Sequence, residues 1–347
     1  MRISELTGRS AAVLDAIVER HIATGGPVGS SAIADQLPET LSSATIRNVM
    51  AELERLGFLE QPHTSAGRTP TRAGYTRYVG GLTAVGRVDD LDPDALRLRL
   101  ETDPIEVREL LRRTCHLLAE LSELVGVVSG PAIADTVFQH IDFVALEGNR
   151  VLAMVVARSG QVKNRVVALD QPMSQEQLDR SATYLVRRFA GRSLRQVSER
   201  VRELVLQAEA NLDRCESRAI RLGARSLTQD LDEAEVMVEG AASLLGKPDF
   251  DDGGSLQAMI ETLEERRELR GAMESTSNQE VRIFIGSAPL PATLGACSLV
   301  AATYWSSGHA LGSLAVLGPT RLDYARTIAL VEAMARATSD VLGRVTL

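Results

Sequence analysis

Hydrophobic positions in the first eighty residues repeat at helical spacing, in three groups separated by glycine and proline. In AAVLDAIVERHIATG, Val13, Leu14, Ile17, Val18 and Ile22 form one stripe, with Ser10 at the capping position and Gly25 beyond the end. GPVGSSAIADQL reads as a turn and a short helix capped at Ser30, with Ile33 and Leu37 facing inward. After Pro38 a third helix spans 42–57. Its apolar residues Ile46, Val49, Met50, Leu53 and Leu56 follow at intervals of 3, 1, 3 and 3, one face of a helical period. The pattern then changes to strand, tight turn, strand over 58–62, 65–67 and 68–71. Three helices and a hairpin predict a winged helix-turn-helix over residues 1–80.

Beyond it, GGLTAVGRVDDLDPDA has glycine and aspartate but no periodicity, which predicts a linker over 81–103. PIEVRELLRRTCHLLAELSELVG is an amphipathic helix. FQHIDFVALEG, RVLAMVVARSG and QVKNRVVALD alternate and are joined by short turns, as in an antiparallel meander. VRIFIGS, CSLVAATYW and HALGSLAVLGP add strands, and a long helix over 323–345 follows. Strands on both sides of a helical stretch predict an α+β multidomain chain. One sheet domain, 104–175 and 274–347, is interrupted by a mostly helical insertion, 176–273. In that insertion Leu194, Val197, Val201, Leu204 and Ala208 repeat at 3, 4, 3 and 4. So short a stripe reads either as packing within the chain or as a dimer interface.

Composition narrows the function classes. The 347 residues are 44% hydrophobic and 24% charged, the balance of a globular protein. No apolar run reaches the ~18 residues of a membrane span, and the N-terminal stretch lacks the apolar core of a signal peptide, so a cytoplasmic protein is expected. Cys115, Cys215 and Cys297 are odd in number and far apart, as expected of buried reduced thiols and unlike a disulfide framework or a metal site. The five histidines form no HxxxH or HExxH pair. The three glycines of GHALGSLAVLGPTR fit neither a P-loop nor a dinucleotide fingerprint. Tyr304, Trp305 and His309 cluster at a strand end and read as a packed edge, with a pocket or partner surface as the other reading. No nucleophile, base and orienter come together, so neither an enzyme nor a cofactor nor a metal is expected.

Charge says more locally than globally. The net charge of −8 argues against indiscriminate phosphate binding, and aromatics, at 3%, are too few for single-strand stacking platforms. Residues 1–80 hold eight Arg and eight acids, yet from Gln61 to Gly80 there are three Arg and no acid. At the start of the third helix, opposite its apolar stripe, stand Ser42, Ser43, Thr45, Arg47 and Asn48. These are short donors and one guanidinium fork, the residue types that grip phosphates and read base edges. The hairpin and its exit add His63, Thr64, Ser65, Arg68, Thr69 and Arg72 as wing contacts. Winged helices also serve as protein-contact modules, so DNA binding and protein contact both remain open on this pattern.

GPVGSSAIA, SSATIRNVMAELERLGFLEQPHTSAGRTPT, GYTRYV and the C-terminal GHALGSLAVLGPTRLDYARTIALVEAM resemble the HrcA family of heat-inducible transcription repressors. The resemblance implies a repressor of chaperone operons that binds an inverted-repeat operator in double-stranded DNA as a homodimer. It further implies a chaperonin that holds the repressor in its active form, and relief on heat shock. The sheet domain would be GAF-like, and the insertion, with Leu194, Val197, Val201 and Leu204, would dimerise the chain. A regulator that binds a metabolite in the GAF-like domain is the alternative.

Overall fold

The computed structural model describes residues 6, 8–37, 41–63, 67–85, 92–101, 107–130, 136–158, 162–207, 214–227, 235–245, 247–250, 253–265, 267–274, 281–286, 290–306 and 309–345. The first helix, α1 (Gly8–Thr24), buries Val13, Leu14, Ile17 and Val18 as its stripe requires. The short second helix is replaced by two single 3-10 turns, Ser30–Ala32 and Ala34–Gln36. Leu37 is extended, at φ −82° and ψ 140°, because the ring of the following proline disfavours a helical residue before it. The helix therefore has no room to complete a second turn.

Helix α2 (Ser43–Arg55) starts at Ser42, whose side chain accepts the backbone N–H of Thr45. Ile46, Met50 and Leu53 are buried beneath it. Strands β1 (Leu59–Glu60) and β2 (Thr69–Pro70) form the hairpin, with Leu59 opposite Pro70 and Glu60 opposite Thr69. Each is only two residues long, shorter than the sequence pattern predicts. Val28 extends this small sheet: its N–H and C=O exchange hydrogen bonds of 2.9 Å each with Arg68. Residue 67 has to be glycine for that approach, since a Cβ there would lie 2.4 Å from the Val28 carbonyl. Helix α3 (Arg72–Val85) follows.

Two helices occupy much of the predicted linker. α3 runs into it, and α4 (Pro93–Leu100) buries Leu96 and Leu100 against the last helix of the chain. Asp92 caps α4 and Pro93 sits at its first turn, a helix-start signal within the Asp-rich stretch.

A five-stranded antiparallel sheet has the order β7–β3–β10–β9–β8. Its strands are β3 (Val125–Ser129), β7 (Val236–Glu239), β8 (Arg282–Ile285), β9 (Cys297–Ser306) and β10 (His309–Pro319). Both faces are covered. Helices α5 (Val107–Ser122) and α11 (Tyr324–Val345) pack over Val128, Val300, Leu314 and Val316. Helices α9 (Gly253–Glu265) and α10 (Arg267–Glu274) pack over Val127, Leu299, Ala315 and Leu317. Neighbouring residues enter opposite cores, the two-residue period of a strand. Tyr304 is fully buried and donates to the Ser129 carbonyl at 2.8 Å and Trp305 is half-buried, as in a packed edge, while the His309 side chain lies outside the described residues. Cys115 and Cys297 are buried, reduced thiols, and burial pushes the Cys297 thiol up to about 12.

The meander does not join this sheet. Strands β4 (Phe138–Ala145), β5 (Arg150–Ala157) and β6 (Val162–Ala168) form a separate three-stranded sheet. Helices α6 (Gln175–Phe189), α7 (Leu194–Gln207) and α8 (Arg214–Leu227) cover one face of it and close an independent core. The chain leaves the large sheet after β3 and returns on the adjacent antiparallel β7, where the Gly130 N–H donates to the Glu235 carbonyl at 2.8 Å. The expected single sheet is thus corrected: the excursion carries the meander with its helices, and α9 and α10 belong to the large sheet.

Candidate nucleic-acid interface

At the N-terminus of α2, the Ser42 hydroxyl lies 2.9 Å from the Thr45 hydroxyl and accepts the Thr45 N–H at 3.1 Å. Arg47 donates from Nε to the Ser43 carbonyl at 3.2 Å, which holds the guanidinium along the first turn. Ser42, Arg47 and Asn48 are exposed, while Ser43 and Thr45 are half-buried. The polar face is fixed by the apolar one: with Ile46 and Leu53 at zero exposure, α2 cannot rotate without exposing its core. The helix presents hydroxyls, an amide, a guanidinium and the positive end of its dipole on one surface.

The hairpin side differs from expectation. Arg68 is not a bare wing charge. Its Nε donates to Glu54 Oε2 at 2.9 Å, and both side chains are partly shielded, so it ties the hairpin to α2. Arg72 donates from Nη1 to the Gly286 carbonyl at 3.2 Å, an anchor onto the loop after β8. Thr69 donates its hydroxyl across the hairpin to the Glu60 carbonyl at 3.5 Å, and His63 is exposed. Thr64 and Ser65 lie outside the described residues. Thr71 is a brace that the sequence reading missed. Its hydroxyl donates to the Gly57 carbonyl at 2.6 Å and accepts the Gly74 N–H at 3.2 Å, capping α3. Threonine three residues ahead of a helical N–H is the available signal.

The stripe on α7 is also corrected. Leu194, Val197 and Val201 have zero exposure and Leu204 has 6%, all within the second core, where α7 packs against α8. They are not a surface. Uncovered apolar residues also stand on the opposite face of the meander. Val144, Val162 and Val166 are 41%, 56% and 53% exposed, and Leu152 pairs with both Val144 and Val166 in the ladder. Met154 and Val156 on β5 are half-buried beside them. The unbroken apolar run from Val151 to Ala157 is the sequence signal, since such a run marks a strand with apolar surroundings on both faces.

Among the described residues, no group of three or more His, Cys, Asp or Glu could hold a metal ion, and no helix is long and apolar enough to cross a membrane. Near α1, burial pushes the phenol of Tyr75 well above its usual range, so it stays protonated.

The family model for the HrcA protein C-terminal domain matches residues 108–328. The heat-inducible transcription repressor HrcA of Geobacter sulfurreducens is 36% identical over 341 residues, covering 98% of this chain and 99% of that protein. Its namesake in Sorangium cellulosum is 33% identical over 346 residues, with 99% and 100% covered. A crystal structure of a hypothetical protein shares the fold at a TM-score of 0.64 and 21% identity, over 98% of this chain and all of that one. Matched along nearly its whole length, the chain belongs to the HrcA family of heat-inducible transcription repressors.

Proposed function

We propose that this protein is a DNA-binding repressor of heat-shock chaperone genes that reads an inverted-repeat operator through α2, with the β1–β2 hairpin as a wing. The observation that carries the reading is the exposed face of Ser42, Arg47 and Asn48 at the start of a helix whose other face is sealed. The succession α1, two short turns, α2, hairpin and α3 fits a winged helix-turn-helix, in which the last helix before the wing enters the major groove. The five-stranded sheet with helices on both faces is read as the GAF-like domain, and family membership supports relief on heat shock with a chaperonin as activity modulator.

One reading head gives too little discrimination against a genome of competing sites, so a two-fold homodimer is part of the proposal. The meander's outer face, with Val144, Leu152, Val162 and Val166, fits that role, because an apolar sheet surface left in water is stabilised by packing on a second copy. The direct experiment is a gel shift on the region upstream of the organism's chaperonin operon, with both half-sites intact and with one scrambled. Preference for the intact repeat is expected, strengthened by purified chaperonin. Equal binding to intact and scrambled duplexes would overturn the reading.

The Arg68–Glu54 pair yields a further expected result. A guanidinium neutralised by a carboxylate releases few counterions on meeting a phosphate. Glu54→Gln should therefore strengthen binding to all duplexes and steepen the log K against log salt slope by about 1. An unchanged slope would place Arg68 away from the DNA backbone.

A further inference from the structure

The segment GPTRLDY, at the start of α11, has no part in the reading of DNA just described, yet its arginine reaches across to the reading head. Arg321 donates from Nε and Nη2 to Asp249 Oδ1 and Oδ2, at 3.2 and 3.0 Å, and from Nη1 to the Ile22 carbonyl at 2.9 Å. Ile22 lies in the last turn of α1, where carbonyls lack partners within the helix and the dipole end is negative, so the guanidinium caps that helix from another part of the chain. Arg321 and Asp249 are each 20% exposed, so the ion pair is largely shielded from water. Gly25, at φ +73°, makes the approach possible: a Cβ there would lie 3.2 Å from the Arg321 Cζ. Beside this contact the Tyr75 and Tyr324 rings pack at 6.0 Å, and among the described residues the buried Tyr75 hydroxyl has no hydrogen-bond partner.

These groups differ in what they constrain. The tyrosine rings bury apolar surface, which holds two bodies together but sets their relative rotation weakly. The three hydrogen bonds of Arg321 are directional and join three distant segments: the end of α1, the 3-10 turn Pro248–Phe250 ahead of α9, and the start of α11. Phe250, next to Asp249, is buried in the core of the large sheet, which makes that end of the tie firm. We propose that Arg321 is a positioning residue for DNA recognition: it fixes the orientation of the α1–α3 unit on the sheet, and so the spacing at which a dimer presents its two copies of α2. The proposal builds on the dimeric DNA-binding reading above.

Two measurements on the full chain separate its failure from that of the reading it rests on. Hydrogen exchange followed by mass spectrometry reports the last turn of α1 without any DNA. Arg321→Ala and the near-isosteric Asp249→Asn should both raise exchange there and leave α2 unchanged, and Arg321→Lys should not restore protection, because an ammonium lacks the fork. Binding is then compared on the chaperonin-operon duplex and on the same duplex with about five base pairs, half a helical turn, inserted between the half-sites. The unaltered protein should lose most of its affinity on the insertion. Arg321→Ala should bind a single half-site normally, bind the native spacing at least about tenfold more weakly, and discriminate little between spacings. Wild-type exchange in α1 together with wild-type spacing preference, in either Arg321→Ala or Asp249→Asn, would overturn the proposal. If the unaltered protein binds neither duplex, the DNA reading fails, while the exchange data still decide whether Arg321 holds the head.

Discussion

Val201→Glu is expected to unfold the inserted unit. Val201 has no exposed surface and lies among Leu194, Val197, Ile220 and Leu222 in the core shared by α7, α8 and the meander. A carboxylate there loses its hydration with no cation in the apolar cluster to replace it, and protonation still leaves a polar group in a space shaped for two methyls. The cost of an unpaired buried charge is about 3–5 kcal/mol, a large part of the stability of a single core. Since the second core is separate from the other two, a thermal melt should gain an early transition while the remainder unfolds near its original temperature. A single transition at the wild-type temperature would contradict the burial of α7.

Val166→Glu should behave in the opposite way. Val166 is 53% exposed on the uncovered side of β6, opposite Leu152 in the ladder, so a carboxylate remains hydrated in the single chain and folding changes within about 0.5 kcal/mol. In the proposed dimer, symmetry brings two such carboxylates into one apolar contact, each costing about 3 kcal/mol or more when desolvated without a partner. The variant should be a folded monomer by light scattering, with half-site affinity retained and the advantage of the full inverted repeat lost. A variant that stays dimeric with full operator affinity would remove the meander face from the interface.

The contrast between these two valines shows where sequence reading reaches and where it stops. The repeat from Leu194 to Leu204 correctly identifies a helix with one apolar face. Periodicity records only that a face is covered, and the same spacing serves an internal core and a partner surface. The meander strands were likewise legible as strands. Both sheets are antiparallel and alternate at the same period, so pattern alone does not say which strands pair, and β3 with β7 form a pair across more than a hundred residues. Helix α2 and its cap were legible because local chemistry fixes them: a serine cap, an apolar stripe and a closing glycine. The partners of Arg68, Arg72 and Arg321 were not, since each is set by the fold bringing a distant carboxylate or carbonyl within reach.

The most direct test of the account is the affinity of Arg47→Ala for operator and for random duplex of equal length, at one salt concentration. Arg47 is exposed on the first turns of α2, away from the buried stripe, so the change should leave the fold intact. A guanidinium that makes a bidentate contact to a base edge contributes about 1–3 kcal/mol of discrimination, and its loss should weaken operator binding by that amount while random DNA is bound almost as before. Equal losses on both duplexes would make Arg47 a phosphate contact, and no loss on either would contradict the assignment of α2 as the reading helix.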